Sequence, residues 1–124
     1  MKYVLITGAS TGLGYNTAKD LAEKGFFVIG SVRNAKDAQR LEAELGHAFK
    51  AVIFDVTDSR SVSDSIGMVE DLVGDHGLHA LINNAGVAVA GPLKYLKTEE
   101  FEHQLNVNVT GLVRVTQAFL PLLG

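Results

Sequence analysis

The segment Thr7-Gly8-Ala9-Ser10-Thr11-Gly12-Leu13-Gly14 follows directly on the apolar run Tyr3-Val4-Leu5-Ile6 and leads into a helical pattern containing Ala18, Leu21 and Ala22. A buried strand, a glycine turn and a helix start in that order hold a dinucleotide pyrophosphate. Gly8 lets the chain leave the strand in a tight turn. Gly12 removes a side chain where a phosphate must approach the backbone, and Gly14 lets the helix pack close to the sheet. The unpaired N–H groups and positive dipole end of that helix then face the anion. The spacing is Gly-x-x-x-Gly-x-Gly, which differs from the common Gly-x-Gly-x-x-Gly fingerprint, and glycine-rich turns also serve plain strand–helix packing.

The remainder of the chain decides between those uses. Its 124 residues suffice for a single dinucleotide-binding domain, 1–124, with a real core, but not for two domains. Apolar residues make up 47%, which excludes a disordered chain, and a formal net charge of −3 gives no basic footprint for nucleic acid. Without cysteine there is no disulfide framework, thiolate zinc site or cysteine nucleophile. The run Tyr3–Ile6 is too short for a signal-peptide core. The apolar stretch from Val109 to Leu123, interrupted by Arg114 and Gln117, falls short of a membrane span. A soluble cytoplasmic protein with no membrane partner is expected.

Strand and helix alternate along the sequence. A helix is expected from about Gly12 to Lys24, ended by Gly25, then a strand Phe26-Phe27-Val28-Ile29. Ala35 to Leu45 reads as a helix with Ala38, Leu41 and Leu45 on one face, closed by Gly46. Ala48 to Phe54 is a third strand. A helix from about Ser59 carries Val62, Ile66, Val69 and Val73 before Gly74 and Gly77 break it. Ala80-Leu81-Ile82 is a fourth strand, Gly91-Pro92 a turn, and Thr98 the cap of a last helix with Glu99 and Glu100 in its first turn. Such apolar strands, each followed by a helix, imply an α/β fold: a Rossmann-type, doubly wound parallel sheet with helices on both faces.

In that architecture ligands sit beyond the carboxyl ends of the strands. The second strand ends in Gly30-Ser31-Val32-Arg33-Asn34. An acid there would bind a ribose 2′-hydroxyl, whereas arginine suits a 2′-phosphate. With no acid present, Arg33 favours NADP over NAD, against the plainer reading of a solvated surface charge. Asp55-Val56 closes the third strand, where a carboxylate accepts from an adenine amino group while valine packs on the ring. A turn or capping aspartate, a role open equally to Asp58, is the alternative. Asn83-Asn84-Ala85-Gly86 closes the fourth strand, with small residues admitting a nucleotide and amides serving strand groups, ribose, or both.

Thr7-Gly8-x-x-x-Gly12-x-Gly14, Asp55-Val56, Asn83-Asn84-Ala85-Gly86 and Asn108-Val109-Thr110-Gly111 occur in order. The whole chain thereby resembles the N-terminal, cofactor-binding half of a short-chain dehydrogenase/reductase. The resemblance implies an NADP-type cofactor lined by Ser10, Leu13, Arg33, Asp55, Val56, Asn84, Ala85, Gly86 and Val109. It also implies that Asn108 is the helix asparagine of the catalytic set, holding a water in a proton relay. The family's activity is hydride transfer between nicotinamide and a carbonyl or alcohol. Its catalytic serine and Tyr-x-x-x-Lys pair follow the asparagine helix, beyond Gly124, so the sequence as it stands is expected to bind cofactor without turnover.

Tyr15-Asn16-Thr17-Ala18-Lys19 has the Tyr-x-x-x-Lys spacing, but lies on the helix under the pyrophosphate, where the family carries no catalyst. His76 and His79 lack a third ligand at useful spacing and read as loop residues. Ser10 has no recognisable histidine and acid for a hydrolase triad. Two further readings stand beside the oxidoreductase: a catalytically inactive module holding or sensing NADP, and a structural or interaction protein with a merely tight glycine turn. The family's strand order would pair the fourth strand with one following Gly124. The apolar positions Val107, Val109, Leu112, Val113, Val115, Phe119 and Leu120 surround most of the last helix. A homo-oligomer, or association with a C-terminal half, is therefore expected in place of a stable monomer.

Overall fold

The computed structural model describes residues 1–87 and 93–124, so the expected turn at Gly91-Pro92 lies outside the described residues. Four strands, β1 (Tyr3–Ile6), β2 (Phe27–Val32), β3 (Phe49–Ile53) and β4 (Ala80–Ile82), form one parallel sheet in the order β3-β2-β1-β4. The chain winds outward from β1 to β3 and then returns to the other side of β1. That reversal opens a crevice beyond the carboxyl ends of β1 and β4.

Helices α1 (Gly12–Glu23), α2 (Ala35–Leu45) and α3 (Ser59–Val73) follow the first three strands. Each begins or ends for a local reason. Asn34 caps α2 by accepting from the Asp37 N–H at 2.8 Å, and Gly46 closes it. Asp58 caps α3 by accepting from the N–H groups of Arg60 and Ser61. Asp58 therefore takes the capping role, and Asp55 takes the turn role, its Oδ1 accepting from the Thr57 N–H two residues on at 2.9 Å. At the next helix, α4 (Thr98–Leu105), Lys97 occupies the capping position and makes no side-chain bond; Thr98 is already helical, contrary to its expected role.

Strand β2 runs three residues past the apolar stretch, because Gly30, Ser31 and Val32 continue the parallel register with Ala51, Val52 and Ile53. Gly30 is required there for space: a Cβ would lie 2.6 Å from Phe49 Cε2 and 2.8 Å from Ala9 Cβ. The expected single last helix also differs. After α4 the backbone passes through a π turn at Asn106–Thr110 before α5 (Gly111–Phe119), with the Gly111 N–H bonded back to the Asn106 carbonyl. Such a widened turn shifts the helical register and is frequent at functional sites.

The period-2 alternation of strand side chains gives the sheet two apolar faces. One holds Ile6, Val28 and Ala51 with Ala18 and Leu41 from α1 and α2. The other holds Leu5, Ile29, Val52 and Phe54 with Val62, Val69, Val115 and Phe119 from α3 and α5. Of the apolar positions on the last helical stretch, Val107, Val115 and Phe119 are buried, while Val109, Leu112, Val113 and Leu120 are exposed. The chain end returns to the sheet: Leu78 and Leu123 form a parallel bridge beside the start of β4. At the opposite margin, the outer edge of β3 is met by a side chain, Glu42 accepting from the Ala51 N–H at 3.0 Å.

Phe119 is fully buried and stacks near Phe54, ring centroids 6.0 Å apart. Phe119→Ala is expected to lower stability by about 3–5 kcal/mol, the usual cost of emptying an aromatic core position. Urea denaturation with an unchanged m-value checks it; a loss below about 1 kcal/mol would show that α5 is not integral to the core.

Candidate cofactor site

The crevice predicted by the strand order is a groove of about 250 Å³. Its walls come from the ends of all four strands. Gly8, Ser10 and Thr11 follow β1, Ser31, Val32 and Arg33 end β2, Phe54 to Thr57 follow β3, and Asn84 to Val87 follow β4. His103 and Val107 close it from the last helical stretch.

Thr7 organises the floor. Its side chain is buried, and its hydroxyl accepts from the N–H groups of Asn84 (3.0 Å) and Ala85 (2.9 Å). The Asn84 amide returns the tie by donating to the Gly8 carbonyl at 3.0 Å. On the other side, the Ser31 hydroxyl accepts from the Gly8 N–H at 3.1 Å. The glycine loop is thus tied to β2 and β4 by side chains, and the Ala9 N–H adds a backbone bond to the Ser31 carbonyl at 3.0 Å.

Within the loop the glycines do different work from one another. Gly12 has open space where a Cβ would point, so its requirement is conformational, a φ of +60° that L side chains rarely adopt. Gly14 is the reverse case: a Cβ would run into the Gly8 carbonyl and approach the Asn84 amide to 2.5 Å. It lets the start of α1 rest directly on the loop it follows. The groove residues Gly8, Ser10 and Thr11 lead directly into the N-terminus of α1, and unpaired N–H groups at such a terminus fit a pyrophosphate.

Asp55 lies at the opposite wall. Burial pushes its carboxyl up, but the Thr57 N–H (2.9 Å) and hydroxyl (2.7 Å) both donate to it, and Arg33 and His103 add positive charge; together they hold it below the ordinary carboxylate value. It is therefore ionised at neutral pH, an acceptor facing the groove. Gly111 brings the last helix against this wall, since a Cβ there would lie 2.9 Å from Val56 Cγ2, and Arg114 donates to the Val56 carbonyl.

Among the residues expected from sequence, Gly8, Ser10, Arg33, Asp55, Val56, Asn84, Ala85 and Gly86 line the groove. Gly12, Leu13 and Gly14 belong to the loop and helix start beside it, with Leu13 exposed. Val109 is exposed on the π turn and does not line the groove. Asn108 uses its whole amide on one backbone segment: its Oδ1 accepts from the Val87 N–H and its Nδ2 donates to the Val87 carbonyl, both at 2.8 Å. It thereby fixes the chain as it leaves β4.

Ser31, Thr57, His103 and Arg114 have no site role in the sequence pattern, and Thr7 enters it only as the first residue of the glycine motif. Only Thr7 and Ser31 carried a signal, as polar residues inside apolar strand surroundings. Tyr15 and Lys19 stay outside the groove. The Tyr15 hydroxyl donates to Glu44 at 2.7 Å, and that bond foremost, with desolvation and the Glu44 charge, raises its pKa against the opposing effect of Arg40. Among the described residues no group of three metal-type ligands exists, and no helix is long and apolar enough to cross a membrane.

Comparison with known proteins agrees with this geometry. Residues 2–124 match the family model for "short chain dehydrogenase". The chain is 40% identical over 124 residues to an NADPH-dependent 3-dehydrocapnine reductase of Ornithobacterium rhinotracheale, covering 100% of this chain and 44% of that protein. It is 38% identical to the short-chain dehydrogenase/reductase family 9C member 7 of Homo sapiens, over 98% of this chain and 39% of the relative. The chain thus spans about two fifths of these relatives' length. Among solved structures, serine dehydrogenase from Escherichia coli superposes with a TM-score of 0.87 at 29% identity, over 96% of this chain and 55% of that one. NADPH-bound carbonyl reductase from chicken fatty liver superposes with a TM-score of 0.88 at 27% identity, over 98% and 48%.

Two outcomes test the architecture of the site. Gly14→Ala is expected to cost at least about 2 kcal/mol by overpacking against backbone, read by urea denaturation. Thr57→Val removes one of two bonds to Asp55, so the Asp55 pKa is expected to rise in an NMR titration. Because folding lowers that pKa from 3.8, the associated stability is present above that value and lost as pH falls through the folded one. The variant should therefore lose less stability on acidification than the parent.

Proposed function

The chain belongs to the short-chain dehydrogenase family, and on that premise we propose that it is the NADP(H)-binding portion of an oxidoreductase acting on a carbonyl or alcohol. The observation that carries the reading is Arg33 at the end of β2, lining the groove beside Ser10 and Thr11 with no acid among the residues that end that strand. A guanidinium there complements a ribose 2′-phosphate; a carboxylate would repel it.

The other groups take roles that follow from their positions. The glycine loop and the first N–H groups of α1, including that of Leu13, receive the pyrophosphate. Asp55 accepts from the adenine amino group while Val56 packs on the ring. Asn84, Ala85 and Gly86 border the ribose and nicotinamide side, held there by Thr7 and by the Asn108 grip on Val87. When bound, the nicotinamide supplies or accepts the hydride. Asn108, on its π turn, is assigned to the proton side of the reaction, and Val109 to the neighbouring surface. The NADPH named for one relative and one structural neighbour supports the cofactor choice. The exposed row Leu105, Val109, Leu112 and Val113 supports association with another subunit or segment.

Titration of NADPH and NADH by fluorescence or calorimetry tests the reading. NADPH is expected to bind more tightly. Arg33→Ala should cost at most about 1.5–3 kcal/mol in NADPH binding, reduced by solvent screening because Arg33 is exposed, and leave NADH nearly unaffected. Equal affinity for the two cofactors would sink the NADP preference. Binding of neither would return the glycine loop to a structural role.

A further inference from the structure

Arg40 lies on α2, outside the groove, yet its Nη2 donates to the Ser10 carbonyl of the glycine loop at 2.6 Å. Two carboxylates hold the same guanidinium: Asp37 at 3.6 Å and Glu44 at 3.7 Å. Both are themselves tied. Glu44 accepts from the Tyr15 hydroxyl on α1 at 2.7 Å. The Asp37 N–H donates to Asn34 Oδ1 at 2.8 Å, and the Asn34 amide donates to the Asp37 carboxylate at 3.3 Å. Asn34 is the residue next to Arg33. A continuous polar chain therefore runs from the Arg33-Asn34 turn through Asp37 and Arg40 to Ser10, with Glu44 and Tyr15 bracing it against α1.

We propose that Arg40 is a positioning residue for cofactor selection, fixing the glycine loop relative to the turn that carries Arg33 and so setting the span between the pyrophosphate and 2′-phosphate contacts. The proposal rests on the NADP(H) reading above. Two carboxylates neutralise Arg40, which makes it a strut and not a free cation competing for phosphate. Its grip also sets a direction. Across a trans peptide the C=O and the following N–H point to opposite sides, and no cis bond occurs among the described residues. Holding the Ser10 carbonyl toward α2 therefore aims the Thr11 N–H, at the capping position of α1, the other way. The exposed ion pairs contribute little stability individually, so the network's effect is expected in geometry before stability. Within the Tyr15-x-x-x-Lys19 segment it is Tyr15 that takes part, bracing Glu44.

Dissociation constants of NADPH and NADH, with thermal midpoints, are measured for the parent, Arg40→Met, Arg40→Lys and Tyr15→Phe. Arg40→Met keeps the length of the side chain but not its donors. It is expected to reduce the NADPH-over-NADH preference by about three- to tenfold, the range for a charge-assisted bond weakened by solvent. Arg40→Lys, which retains a donor for Ser10, should recover most of the preference, and Tyr15→Phe should lower it slightly. A parent that favours NADPH, with an Arg40→Met variant showing the same ratio, overturns the proposal even if its midpoint falls, since Arg40 would then be a structural brace alone. A parent that does not discriminate overturns the NADP(H) reading itself.

Discussion

The structure depends on how β1 and β4 part company. Parallel pairing holds them together up to Ile6 and Ile82; beyond that the strands diverge and backbone groups lose their partners. A single buried hydroxyl, Thr7 Oγ1, takes two of those orphaned N–H groups, from Asn84 and Ala85. Leaving such groups unpaired in the interior costs about 1–3 kcal/mol each. At this half-buried divergence a side chain thus stands in for the missing ladder. The Ser31 hydroxyl does the equivalent on the β2 side, so the mouth of the groove is framed by hydroxyls and an amide where strands would otherwise continue.

Groove chemistry follows from that frame. With the loop suspended, Gly14 can rest on Gly8, α1 can point its N-terminus at the opening, and the β2 end can present Arg33 beside Ser10 and Thr11. Asp55, after the neighbouring strand β3, adds an ionised acceptor whose carboxylate feels the Arg33 charge. On the π turn, Val107 faces the groove and core while Asn108 reaches Val87.

Much of this was legible in the chain, and the gaps have a common cause. Helix α2 has the boundaries its sequence predicts, Ala35 to Leu45, because apolar periodicity and a glycine stop coincide there. The motifs Asp55-Val56 and Asn83-Asn84-Ala85-Gly86 are legible because they follow apolar strands and occur in order with the glycine motif. By contrast Thr7 pairs with residues more than seventy positions away, and Arg40 meets Ser10 thirty positions away; no local pattern marks either. His103 sits on a helix face that only tertiary packing turns toward Asp55. Strand β2 outran its apolar stretch because pairing with β3, not hydrophobicity, sets its length. The π turn left no periodic trace, since one added residue per turn is lost within an apolar stretch like Val107 to Val115.

One marginal contact has a wider meaning. Strand β3 ends the sheet, and the outward N–H of Ala51 is already occupied by the Glu42 carboxylate, itself paired with Lys50 at 3.3 Å. A strand arriving from outside would have to displace a hydrogen-bonded anion before forming its first rung. At the other margin, Leu78 already accepts a parallel neighbour in Leu123. The two borders of the sheet therefore differ in kind: one is closed by a charged side chain, the other is continued by the chain's own backbone.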